Sequence, residues 1–137
     1  MITLLIGKKG SGKTKKLIEL ANAAVESSNG NVVVIEKGLK LTYDISHEAR
    51  LVDTDAYGIQ GKDALIGFVS GICAANYDVT DIFIDSTLKI TGKGVEEIEP
   101  ITMQLKALSE SSEANIYLLV SAEAAELPEA VLEYVAK

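Results

Sequence analysis

The chain alternates short, unbroken apolar runs with longer stretches in which apolar positions recur at helical spacing. Ile2-Thr-Leu-Leu-Ile6, Val32-Val-Val-Ile35, Asp81-Ile-Phe-Ile-Asp85 and Asn115–Val120 read as strands. Continuous apolar character, as opposed to alternation, marks strands covered on both faces, as in a parallel sheet. Leu17, Ile18, Ala21, Ala24 and Val25 predict a first helix, stopped by Asn29-Gly30. Leu65, Ile66, Phe68, Val69, Ile72 and Cys73 predict a second, in which Gly67 and Gly71 offer either a stripe for close packing or two chance glycines. A third helix starts near Pro100 and turns Ile101, Leu105 and Leu108 inward, since proline is tolerated in a first helical turn. Pro128 opens a last helix, with Leu127, Val131, Tyr134 and Val135 on one face.

Two stretches are less regular. Leu39–Tyr57 reads as a weak hairpin of Leu41–Ile45 and Arg50–Asp53 turning through Ser46–Ala49, and Lys89–Gly94 reads as a loop. Strands alternating with helices predict an α/β fold, a three-layer α/β/α arrangement around a mostly parallel sheet. With no repeat or linker, residues 1–137 are expected to form a single domain carrying an irregular hairpin-like insertion at about 39–60. No apolar stretch approaches the roughly 20 residues of a membrane span, and the run at 2–6 is too short for a signal-peptide core. The single Cys73 excludes an intrachain disulfide framework, so the expectation is a soluble, cytoplasmic protein.

Charge changes this picture. The 20 acidic and 13 basic residues give a net charge of -7, which argues against nucleic acid or an anionic membrane as partner. The average hides a pole: Lys8, Lys9, Lys13, Lys15 and Lys16 precede the first acid, Glu19. The pole sits on Gly7-Lys8-Lys9-Gly10-Ser11-Gly12-Lys13-Thr14, which matches G-x-x-x-x-G-K-[ST] between a predicted strand and a predicted helix. Glycines let successive backbone N–H groups turn inward around phosphate, and the helix start adds the positive end of its dipole. Gly7, Lys8, Lys9, Gly10, Ser11, Gly12, Lys13, Thr14 and Lys15 are therefore candidate nucleotide-binding residues. Lys13 is placed on the β- and γ-phosphates as a catalytic group, and Thr14 on Mg²⁺ through its hydroxyl. Asp85 ends an apolar strand at the edge where α/β sheets bind ligands, and is the second expected Mg²⁺ group.

The sequence resembles the P-loop NTPases, and within them the RecA/KaiC-like ATPases, over most of residues 1–122. Besides the phosphate loop, the similarity lies in Val32-Val-Val-Ile-Glu36, in Ile84-Asp85-Ser86-Thr87-Leu88, and in Leu105-Lys106-Ala107-Leu108 followed by Leu118-Leu-Val-Ser121. The resemblance implies the P-loop NTPase fold. It also implies Glu36 as the general base that polarises water and Ser121 as a residue near the γ-phosphate. The plain alternatives are a strand-end acid paired with Lys37 or Lys40, and a helix cap.

Several function classes are disfavoured. The one arginine, Arg50, cannot furnish the arginine-bearing lid of a phosphotransferase. Asp55-Ala-Tyr-Gly58 fits D-x-x-G of a GTPase, but no N-K-x-D sequence reads guanine, so adenine is favoured. RecA-like DNA binding lacks a basic surface beyond the pole. Arg50 acts either as a finger in trans or in a surface ion pair with Glu48 or Asp53, and His47 is expected to be an exposed turn residue. The expected function is Mg²⁺-dependent ATP binding with slow or partner-stimulated hydrolysis, helped by an unidentified protein partner or a second copy. The alternative is a non-hydrolysing, ATP-binding regulatory module that gates a protein partner.

Overall fold

A computed structural model describes residues 1–136. Five strands, β1 (Ile2–Ile6), β2 (Asn31–Glu36), β3 (Arg50–Asp53), β4 (Val79–Ile84) and β5 (Asn115–Val120), form one sheet in the order β1-β5-β4-β2-β3. Every pairing is parallel. The helices are α1 (Lys13–Ser27), α2 (Lys62–Ala75), the short α3 (Thr87–Thr91) and α4 (Ile98–Ser112). The fold is thus α/β, and the four apolar runs are the four long strands, as their unbroken character requires.

Side chains alternate across the sheet into two cores. On one face Leu5, Val32, Val34, Phe83 and Leu119 pack on Leu17 and Ala21 of α1, together with Leu41 and Ile45 from the segment after β2. Phe83 stacks on Tyr117 there, ring centroids 4.3 Å apart. On the other face Val33, Ile35, Ile82, Ile84, Ile116 and Leu118 meet Leu65 and Val69 of α2 and Ile98, Ile101 and Leu105 of α4. Pro100 lies in the first turn of α4, and Glu113, left-handed at φ 62°, ends that helix.

The hairpin is corrected. Arg50–Asp53 is a strand, but it pairs parallel to β2 at the edge of the sheet, with Val33 opposite Arg50 and Glu36 opposite Asp53. Leu41–Ile45 is a run of turns whose two apolar residues, four apart, reach down into the core as plugs. Residues 89–91, expected in a loop, belong to α3, which follows β4 directly. The last helix is a 3₁₀ stretch over Glu129–Tyr134, beyond which Val135 bridges to Leu4 on the free side of β1. Gly67 and Gly71 face open space, so their spacing serves no close helix packing. Among the described residues no helix is long and apolar enough to cross a membrane.

Candidate functional site

Four neighbouring strands deliver their successors to one edge of the sheet. The register sets Ile6 beside Val120, Leu118 beside Ile84, and Ile84 beside Ile35, so Gly7, Ser121, Asp85 and Glu36 all leave at the carboxyl edge. Because β5 lies between β1 and β4, the glycine loop and Asp85 stand on either side of the strand that leads into Ser121.

The glycine loop is anchored at its start and closed by a turn of its own. Gly7 N–H donates to the Ala122 carbonyl at 2.9 Å, and Ser11 N–H donates to the Lys8 carbonyl at 3.0 Å. A Cβ on Gly7 would collide with the Ser11 hydroxyl, and Gly12, at φ 88°, occupies the left-handed region that glycine adopts at little cost. Gly12 leads straight into α1, whose first turn has neither a side-chain cap nor an acidic residue. The amides of a first turn have no intrahelical acceptors, so the positive end of a 15-residue helix points out unneutralised. Lys13 Nζ donates to the Lys8 carbonyl at 3.2 Å, folding the side chain over its own loop.

A cleft of about 390 Å³ opens at this edge. One wall is Lys9, Gly10, Lys13 and Thr14; Asp85 and residues 86–89 form another; Leu119 and Ser121 lie at the end of β5. Asp85 is 7% exposed, and its Oδ2 accepts a hydrogen bond from Ser86 Oγ at 3.1 Å. Ser86 is left-handed at φ 55°, a conformation that costs a non-glycine residue about 1–2 kcal/mol. That turn starts α3 immediately after Asp85 and carries Lys89 to the cleft. The donor set suits Mg²⁺: one carboxylate and one hydroxyl, from Asp85 and Thr14, leave room for the waters and phosphate oxygens this ion keeps. Among the described residues no three His, Cys, Asp or Glu side chains cluster into an all-protein metal cage.

Glu36 sits differently from the other candidates. It is fully buried and does not line the cleft. Its Oε1 accepts from Lys40 N–H at 2.8 Å and its Oε2 from Leu41 N–H at 3.4 Å, closing the turn that follows β2. Burial pushes its carboxyl above the ordinary range; the two amides pull it back in part, and the negative charges of Asp85 and Asp53 push it up again.

No protein-family model matches this chain, and neither does any curated protein.

The remaining candidates divide plainly. Lys8 faces Glu123 at 3.7 Å on the surface, and Lys15 is exposed away from the cleft. Ser11 and Gly12 line a separate cavity of about 240 Å³ with Ile6, Lys13 and Lys16. Ser121 caps nothing; the turn at Ala124–Glu126 is capped by Glu123 and Glu126 instead. His47 is exposed. Arg50 lies at the amino end of β3, lines no part of the cleft, and makes no ion pair among the described residues. Lys40 and Lys89 were not singled out for the site by sequence, yet both line the cleft. Nothing in the chain distinguishes them from surface lysines, because a turn held by Glu36 and a one-residue twist at Ser86 bring them there.

Proposed function

We propose that the chain is a P-loop NTPase-like protein that binds a nucleoside triphosphate with Mg²⁺, ATP in preference to GTP, and hydrolyses it slowly unless a protein partner or second copy assists. The observation that carries this reading is the shared cleft: Lys9, Gly10, Lys13 and Thr14 face Asp85 and Ser121, which are remote in sequence. Backbone amides of the loop and the start of α1 donate to phosphate oxygens, and Lys13 brings a mobile positive charge among them. Thr14 and Asp85 would hold Mg²⁺, which neutralises phosphate charge when bound. Ser121, exposed at the end of β5, offers a hydroxyl to the phosphate chain.

The state of Glu36 favours a second reading, a non-hydrolysing ATP-binding module. A general base must lie within reach of the attacking water, whereas Glu36 is fully buried outside the cleft with its carboxylate turned to the Lys40 and Leu41 amides. Hydrolysis thus requires the turn at Lys40 and Leu41 to open first, which keeps turnover low.

Isothermal titration with Mg²⁺-ATP tests the binding. Wild type is expected to bind, and Lys13→Ala to weaken binding at least roughly tenfold, the scale of one lost charge-assisted hydrogen bond. If neither ATP nor GTP raises the melting temperature and Lys13→Ala behaves identically, the nucleotide reading fails. Phosphate release separates the two readings. Glu36→Gln is expected to bind ATP while releasing less phosphate than wild type. Equal, measurable rates remove Glu36 from water activation, and no release from either protein leaves the regulatory module.

A further inference from the structure

We propose that Lys40, held by Glu36, is a phosphate-binding cation supplied in cis, and that it makes the cleft prefer a triphosphate over a diphosphate. This inference rests on the nucleotide reading above. Four lysines, Lys9, Lys13, Lys40 and Lys89, line the cleft against one carboxylate, Asp85. Like charges gathered around one concave surface repel one another, modestly because Lys9, Lys40 and Lys89 are exposed, and an anion relieves them. Within the same segment Lys37 is neutralised by Asp55 at 2.6 Å, whereas Lys40 makes no ion pair among the described residues.

The segment carrying Lys40 is built, not draped. Glu36 binds the amides of Lys40 and Leu41 from below. Leu41 and Ile45 are buried against the α1 side of the sheet. Asn22 of α1 clamps the far end: its Nδ2 donates to the Asp44 carbonyl at 2.9 Å, and its Oδ1 accepts Ser46 N–H at 2.8 Å. One helix thus begins at the glycine loop and, about two and a half turns later, grips the segment that presents Lys40. Lys40 lines the same cleft as the glycine loop and its backbone is fixed in advance, so binding has to order its side chain but not the loop. Glu36 is on this account a positioning residue. Its buried carboxylate accepts the amides of Lys40 and Leu41 and so fixes the backbone that carries the lysine.

The test is the ratio of ATP to ADP affinity with Mg²⁺, by titration calorimetry on the whole chain. Lys40→Ala is expected to cut the preference for ATP by roughly ten- to a hundredfold while ADP affinity changes little. Lys40→Arg is expected to retain most of the preference, and Lys93→Ala, an exposed lysine outside the cleft, to keep all of it. Asn22→Ala is expected to erode the preference partly, with both nucleotides still bound. Melting temperatures with no nucleotide check that Lys40→Ala remains folded, as an exposed residue allows. If wild type binds neither nucleotide, the nucleotide reading and this assignment fall together. If wild type binds and Lys13→Ala abolishes binding, but Lys40→Ala keeps the wild-type ratio, the nucleotide reading stands and the assignment of Lys40 is overturned.

Discussion

Glu36 has a consequence for stability that follows from its surroundings alone. Its folded-state affinity for a proton is raised, chiefly by burial. An acid whose pKa is higher in the folded than in the unfolded state binds more protons when folded across the interval between the two values. Stability then falls as pH rises through that interval, the reverse of a salt-bridged carboxylate. At neutral pH, Glu36 therefore carries a cost that protonation relieves. The expected outcome is that wild type gains stability relative to Glu36→Gln as pH is lowered from neutrality toward the ordinary carboxylate range. Paired thermal melts over that range check it; a constant difference between the two proteins would mean that the buried carboxyl is not titrating as placed. Fold stability is here traded for a turn that presents Lys40.

At the scale of elements, the segment between β2 and β3 depends on two apolar plugs and few backbone ladders. Ile45 is 5% exposed and contacts the core on the α1 face. Ile45→Ala is expected to cost about 2–4 kcal/mol, read from urea denaturation, by lost burial and the space left behind. The same segment shows where the sequence was legible. Strands β1, β2, β4 and β5 announce themselves because both faces are covered and most of their positions are apolar. The edge strand β3 is four residues long, so its pattern cannot say which neighbour it pairs with or in which sense. Leu41 and Ile45 resembled half of a hairpin, but a spacing of four is also what a pair of turns produces when it drops two side chains on one face. The glycine loop was legible because its chemistry is contiguous. For Glu36 the sequence offered a choice between base and structural acid, and its hydrogen-bond partners were not legible because they are backbone amides without sequence identity. Lys40 and Lys89 carry no local signal; a left-handed Ser86 and a buried carboxylate bring them to the cleft.

For the whole molecule, a net charge of -7 coexists with a cleft of four lysines. The acidic remainder discourages extended polyanions, while the cleft focuses positive potential on a compact one. The sheet order places that cleft at the join between parts of the chain remote from each other. Among the described residues, only β5 and an isolated bridge at Val135 pair with β1: Ile2 lies opposite Ile116, and Ile6 opposite Val120. The strand bearing the glycine loop thus emerges from the ribosome long before its partner, and it must wait until residues 115–120 are made before it can be locked into the sheet. Until β5 threads between β1 and β4, the lysine-rich loop and Asp85 belong to no common surface. On the proposed nucleotide reading, a chain in which β5 has not yet docked is blind to the ligand, and occupancy of the cleft reports that β5 has closed.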